Sequence, residues 1–245
     1  MTPARHAELA GNLAAMQARV AAACAAAGRD VSEITLIAVT KTRPAEDVAA
    51  LAGLGLTDFG ENRDQEAAPK AAAVAEATSA RVRWHFIGQL QTNKAHSVVR
   101  YASVVHSVDR VRLVRALGNA ASAAAKEGPA VPAAVPLTCL VQVSLDGDAA
   151  RGGALISQLP EVAAAIEAEE GLTLGGLMAV APRFADPKGA FAPLRELSDV
   201  VRSVNPSAAV VSAGMSGDLE AAIACGATHL RIGTALLGDR RPPVL

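Results

Sequence analysis

Ile34-Thr35-Leu36-Ile37-Ala38-Val39-Thr40-Lys41 is an apolar, β-branched run that follows the turn-like Gly28-Arg29-Asp30 and stops on a lysine. A short run of this kind reads as a strand buried on both faces, as in a parallel sheet. Pro44, just beyond it, opens the next helix. A lysine at the carboxyl end of a core strand can carry its amine into the mouth of an α/β fold and act there as a desolvated nucleophile. It can equally snorkel to water, as most lysines do. The rest of the chain has to decide between the two.

Outward from that strand, seven more strand-like runs follow at 57–60, 82–87, 103–106, 137–143, 172–177, 208–211 and 229–232. Helical patterns alternate with them. The first, 3–27, precedes the lysine strand and carries Leu9, Leu13, Met16 and Val20 at helical spacing. Others span 44–54, closed by Gly55, and 65–78, which Pro69 either starts or interrupts. Further helices begin near Thr92, run from an Asp109 cap to Lys126, and cover 154–169, 187–204 and 217–225. Pro129, Pro132 and Pro136 bracket a loop that is too short to separate a pair of cores. Eight alternating units demand a parallel sheet and suit a closed (β/α)8 TIM barrel with an extra N-terminal helix, residues 1–245 forming a single domain. An open doubly wound sheet competes, but the first strand lacks the Gly-x-Gly-x-x-Gly turn of a dinucleotide site.

Composition narrows the function. Apolar residues make up 51%, charged residues 19% and aromatics 2%, with a net charge of −1. A large core is available, and the positive field and stacking rings of a nucleic-acid surface are missing. No apolar run approaches a membrane span and no signal-peptide core opens the chain. Cys24, Cys139 and Cys225 show neither paired spacing nor Cys-x-x-Cys, so metal and disulfide roles are not expected and a reducing cytoplasm is.

Polar residues gather where a barrel builds its site, at the carboxyl ends of the strands. Lys41 ends the first, Asn62 follows the second, His85 lies near the end of the third and Met178 follows the sixth. Ser212 ends the seventh and opens Ser212-Ala213-Gly214-Met215-Ser216-Gly217-Asp218, while Arg231-Ile232-Gly233-Thr234 closes the eighth. Glycines there let backbone amides approach an anion at a helix N-terminus, and loops after strands seven and eight are where barrels hold phosphate. Read blandly, they are glycine-rich caps, with Arg231 a structural ion-pair partner. A phosphate opposite a strand-end lysine fits pyridoxal 5′-phosphate, whose aldehyde forms an imine with an amine. A phosphosugar enzyme with an aldolase-type lysine fits the same residues.

Longer strings carry a family resemblance. Val39-Thr40-Lys41, Phe59-Gly60-Glu61-Asn62, the eleven-residue run from Trp84 to Lys94, Ser107-Val108-Asp109, Gly176-Leu177-Met178, Gly214-Met215-Ser216-Gly217-Asp218 and Arg231-Ile232-Gly233-Thr234 resemble the pyridoxal phosphate homeostasis proteins. These look like the barrel domain of alanine racemase standing alone, a type III pyridoxal phosphate fold without the second β domain. The resemblance implies that Lys41 carries the Schiff base and that Ser212, Ser216, Gly233 and Thr234 cradle the phosphate with Gly214 and Met215. It places Asn62, His85 and Met178 near the ring and Arg231 at the pyridine nitrogen. Thr40 stands where the family usually has serine. Ser144, Asp148 and Arg151 stand where it commonly has Asn, Glu and Lys, and that loop's contacts are left open. Lys94 reads as a solvated helix residue or a second amine near the mouth.

The resemblance further implies a monomeric carrier or regulator of intracellular vitamin B6 and amino-acid balance, with pyridoxal phosphate-dependent apo-enzymes as recipients. Racemisation needs two bases, and the racemase's second base is a tyrosine from a separate domain. The only tyrosine here, Tyr101, precedes the fourth strand on its amino side. An arginine at the pyridine nitrogen also weakens the ring as an electron sink. An amino-acid racemase-like enzyme is the alternative, with His85 the better candidate for a second acid than either Cys139 or Cys225.

Overall fold

The computed structural model describes residues 1–127, 136–148, 151–182 and 184–238. Parallel strands close into a barrel in chain order: β1 (Thr35–Val39), β2 (Asp58–Glu61), β3 (Arg83–Phe86), β4 (Ala102–Val108), β5 (Leu137–Val143), β6 (Leu172–Ala179), β7 (Val210–Ser212) and β8 (His229–Ile232). The ring shuts where β8 pairs with β1, Leu36 beside Leu230 and Ala38 beside Ile232. Around it stand α1 (Pro3–Ala27), α2 (Ala45–Gly53), α3 (Asp64–Ala77), α4 (Ala95–Val98), α5 (Val111–Glu127), α6 (Leu159–Glu167), α7 (Pro187–Phe191), α8 (Leu194–Val204), α9 (Leu219–Ala224) and α10 (Thr234–Leu237). None of the described helices is long and apolar enough to cross a membrane.

Strand alternation sorts the side chains into two environments. One set, including Ala38, Phe59, Trp84, Phe86, Val105, Leu230 and Ile232, is buried with helix residues such as Leu9, Leu51, Leu117, Leu159 and Ile166 in one apolar layer. The other set faces the lumen. There, barrels usually stack Val, Ile and Leu; this one buries Asp58, His85, His106, Ser212 and Arg231. His106 on β4 touches Ser212 on β7, and since those strands are not neighbours the contact spans the interior.

Helix α1 begins on a Thr2 cap with Pro3 in its first turn, and Gly28 ends it at φ 64°, a left-handed position that favours glycine. Its buried face is Leu9, Leu13, Met16 and Val20, as the spacing indicates. Its polar face grips the far end of the chain. Asn12 donates to the Leu236 carbonyl at 3.1 Å, Arg5 to that of Leu237 at 3.0 Å and Arg19 to that of Ser216 at 2.8 Å. Arg29, just past the helix, donates to the carbonyls of Ile223 and Ala227.

Several expected helices are broken where proline intervenes. The run at 187–204 divides into α7 and α8 at Pro193, and the run from Ala154 starts as a 3-10 turn before α6 takes over with Pro160 in its first turn. The helix expected near Thr92 likewise opens as a 3-10 turn, Thr92–Lys94. Helix α3 instead continues through Pro69. Asp109 does not cap α5: its carboxylate pairs with the Arg110 guanidinium and accepts from the Gly153 amide at 3.5 Å. Pro129 and Pro132 of the expected loop lie outside the described residues.

Candidate functional site

At the carboxyl end of the barrel a cavity of about 310 Å³ is lined by Val39, Lys41, Thr42, Arg43 and Ile87 together with the loops after β7 and β8. That volume is at the small end for small-molecule sites, which run from about 300 to 1,000 Å³. Lys41 enters it from the turn after β1, and no acceptor among the described residues pairs with its amine. The next residue, Thr42, sits at φ 64°. A β-branched side chain is strained in that region. The turn is pinned by the Arg43 amide donating to the Thr40 carbonyl at 2.9 Å and the Thr42 amide donating to Glu66 at 3.2 Å.

Ser216, Gly217, Gly233 and Thr234 share this lining with Lys41, Gly233 lying beside Val39 because β8 is the neighbour of β1. Their four amides donate to no protein acceptor among the described residues. Gly214 shapes this loop at φ 94°, where a Cβ would come within 2.7 Å of Ala222, and its carbonyl accepts from the Arg231 amide at 2.9 Å. The Met215 amide is already bonded to the Asp218 carboxylate. Helices α9 and α10 have only six and four residues, so free amides and hydroxyls, rather than a long helix dipole, give this wall its affinity for anions.

Arg231 reaches the cavity from below while buried within the barrel. One terminal nitrogen donates to both the carbonyl and the hydroxyl of Ser212 at 2.7 Å, and the other donates to the Ala179 carbonyl at 2.9 Å. Burial pushes its guanidinium down to about 10, with the charge of Asp218 acting upward against it. Beneath it, the Ser212 hydroxyl lies 2.9 Å from His106 Nδ1, His106 Nε2 lies 2.9 Å from His85 Nδ1, and His85 Nε2 lies 2.7 Å from Asp58 Oδ1. Burial lowers both histidines, His106 most strongly. Asp58 is held well below the usual carboxylate range: hydrogen bonds from His85, Arg83 and Thr57 outweigh its burial, which is the largest single influence and acts upward.

The structure thus brings Lys41, Met215, Ser216, Arg231, Gly233 and Thr234 onto one cavity. Ser212, Gly214 and Met178 are buried and do not line it. Asn62 stands outside the lining too, although its side-chain oxygen is buried without a partner. His85 lies deeper than the resemblance implies, in the lumen between Asp58 and His106. Asp58 and His106, which lumen-facing alternation could have flagged, were missed, as were Thr42, Arg43 and Gly217. Tyr101 is buried on the amino side of β4 with its hydroxyl 3.4 Å from Asp64, and burial raises its phenol. Cys139 is buried with its thiol pushed up to about 12, and neither it nor Cys225 meets the cavity. In the divergent loop, Arg151 pairs with Asp146 and donates to the carbonyls of Val180 and Ala181, tying the loops after β5 and β6 together. Among the described residues no cluster of His, Cys, Asp or Glu is placed to hold a metal. A larger cavity of about 660 Å³, lined by Arg81, Arg83, Trp84 and Thr138, opens at the amino end and holds none of the expected site residues.

Residues 11–241 match the family described as alanine racemase, N-terminal domain. A Mycobacterium tuberculosis protein named pyridoxal phosphate homeostasis protein is 47% identical over 98% of this chain and 95% of its own. The structure of PipY from Synechococcus elongatus with PLP bound superposes with a TM-score of 0.77 at 29% identity, covering 94% of this chain and 100% of that one. Alanine racemase from Corynebacterium glutamicum shares the fold at a TM-score of 0.66 and 14% identity, over 98% of this chain and 62% of its own. Lys41 lies in the turn two residues past the end of β1 rather than on the strand itself, while the eight-stranded closure and these matches agree, and the chain belongs to the alanine racemase N-terminal domain family and, within it, to the pyridoxal phosphate homeostasis proteins.

Proposed function

We propose that this cavity binds pyridoxal 5′-phosphate through a Schiff base to Lys41 and that the protein, residues 1–245 acting as one domain, carries or regulates the cofactor with little catalysis of its own. One observation carries the reading: an unpartnered amine and four amides without acceptors line a single cavity. Those groups match the two ends of the cofactor, its aldehyde and its phosphate. The Ser216 and Thr234 hydroxyls extend the phosphate wall, and Arg231 faces the ring nitrogen. When bound, the cofactor supplies a carbon that condenses with the amine and a conjugated ring able to accept electrons.

The carrier reading is supported by what lines the cavity. Apart from Lys41, none of its described residues is a Tyr, His, Cys, Asp or Glu that could act as a second base. A cationic Arg231 beside the ring nitrogen disfavours protonation there. The cofactor's recipients on this reading are apo-enzymes that depend on it, in the cytoplasm, and the working unit is a monomer.

The purified protein should be yellow, with a visible band bleached by borohydride and missing in Lys41→Ala. A colourless preparation that gains no band on adding pyridoxal phosphate would defeat the assignment. Turnover of L- or D-alanine abolished by Lys41→Ala would replace the carrier with a racemase-like enzyme.

A further inference from the structure

With both of its histidines neutral, the polar file in the lumen has one arrangement of its hydrogens. At the amino end, Asp58 accepts from Arg83 Nε at 2.6 Å and from the Thr57 hydroxyl at 2.6 Å, so it is an ionised acceptor. His85 Nε2, 2.7 Å away, therefore carries a hydrogen. Burial disfavours a charge on the His85 ring, and the neutral ring has Nδ1 bare and requires His106 Nε2 to donate to it across 2.9 Å. His106 is then bare at Nδ1 and takes the Ser212 hydroxyl hydrogen at 2.9 Å. Ser212 Oγ is left with lone pairs for Arg231 at 2.7 Å.

We propose that His106, backed by His85 and Asp58, is a positioning residue for Arg231: it turns the Ser212 hydroxyl hydrogen inward, so that the guanidinium meets only acceptors and is held toward the cavity. Arg231 forms no salt bridge among the described residues, and three oxygens, Ser212 O, Ser212 Oγ and Ala179 O, take its hydrogens. Each link points its hydrogen toward Asp58, and bonds aligned this way polarise one another. The carboxylate at the floor thereby acts on a cation it never touches. A second consequence follows for Ser212. Its only hydrogen is committed to His106, so it supplies no O–H to a phosphate.

The role of Arg231 at the ring rests on the cofactor reading, whereas the file itself does not. The first measurement therefore uses cofactor-free, ¹⁵N-labelled protein and long-range imidazole ¹H–¹⁵N spectra. His85 and His106 should both be Nε2–H tautomers with bare Nδ1; an Nδ1–H tautomer at either overturns the proposal. In Asp58→Asn the amide oxygen takes the place of Oδ1, which accepts from both Arg83 and His85, so His106 should stay an Nε2–H tautomer. A His106 switched to Nδ1–H in folded Asp58→Asn also overturns it, since the direction of the file would then not follow the acceptor at residue 58.

Ser212→Ala tests the other end, and does so even where Asp58→Asn fails to fold. In cofactor-loaded protein it should shift the visible band, because Arg231 loses its aim, whereas Thr234→Ala should lower affinity without a shift. Lowered affinity with an unshifted band in Ser212→Ala would make Ser212 a phosphate ligand and end the proposal. Failure of the wild type to develop any band would sink the cofactor assignment alone, and the cofactor-free tautomers would still decide the file.

Discussion

Lys70 Nζ lies 2.6 Å from Glu61 Oε1, and the same amine donates to the Thr40 carbonyl at 2.8 Å. Glu61 is fully buried, also accepts from the Thr40 hydroxyl at 2.7 Å, and keeps its second oxygen buried without a partner. A charge on α3 thus straps the residue before Lys41 to β2. Removing one member of a buried pair strands the other, at about 3–5 kcal/mol. Lys70→Met should cost that much in urea unfolding, and Glu61→Gln added to it should recover a large part. A loss below about 1 kcal/mol, the range of an exposed pair, would show that the strap is not buried in solution.

Ser216→Ala and Thr234→Ala should each weaken cofactor binding about tenfold, the loss of one hydrogen bond to a charged group. The visible band should still form at high cofactor concentration. Fluorescence titration showing both variants at wild-type affinity would rule out the phosphate wall.

Gly88 is fixed by contact rather than by its backbone angles. A Cβ there would lie 2.1 Å from the Asn62 carbonyl oxygen, which is impossible without moving the end of β2. Gly88→Ala should destabilise the fold by about 3 kcal/mol. Thermal unfolding within a degree of wild type would mean that the two loops do not touch.

Acid should erode stability through the lumen histidines. His229 is pushed down to about 4 by burial, and burial lowers His85 and His106 as well. In the unfolded chain each titrates near 6.5. Below that pH the unfolded state takes up protons that the native state refuses. Stability is therefore full above about pH 6.5 and falls toward pH 4 by about 1.4 kcal/mol per pH unit for each such histidine. Asp58, whose folded value is depressed, adds its loss only below about pH 3.9. Urea midpoints across this range should show the slope, and His229→Gln should flatten it. A midpoint constant from pH 7 to 5 would contradict neutral burial.

The sequence carried most of the fold because each strand is a compact apolar run between turn signals. The fifth and eighth runs, 137–143 and 229–232, match β5 and β8 residue for residue. Errors fell where a local rule met a tertiary demand. Proline propensity alone could not say that Pro193 breaks a helix while Pro69 rides inside one. Asp109 looks like a cap by type but is drawn to Gly153, forty-four residues on. Lys41 and the two anion-facing loops were legible because they sit at strand ends. Asp58 and His106 were harder to see, since alternation puts them on the lumen face but only closure of the ring gives them partners on other strands. The same closure explains why His85 lies in the lumen, where two buried polar partners hold it.

The grip of α1 on residues 216–237 has a consequence for biogenesis. Helix α1 waits for the last strand of the barrel, because its partners at Ser216, Leu236 and Leu237 follow it by 197 to 232 residues. Such long-range closure slows folding. The anion-facing wall is consequently completed last, and a nascent chain can take up its ligand only after the ring has shut.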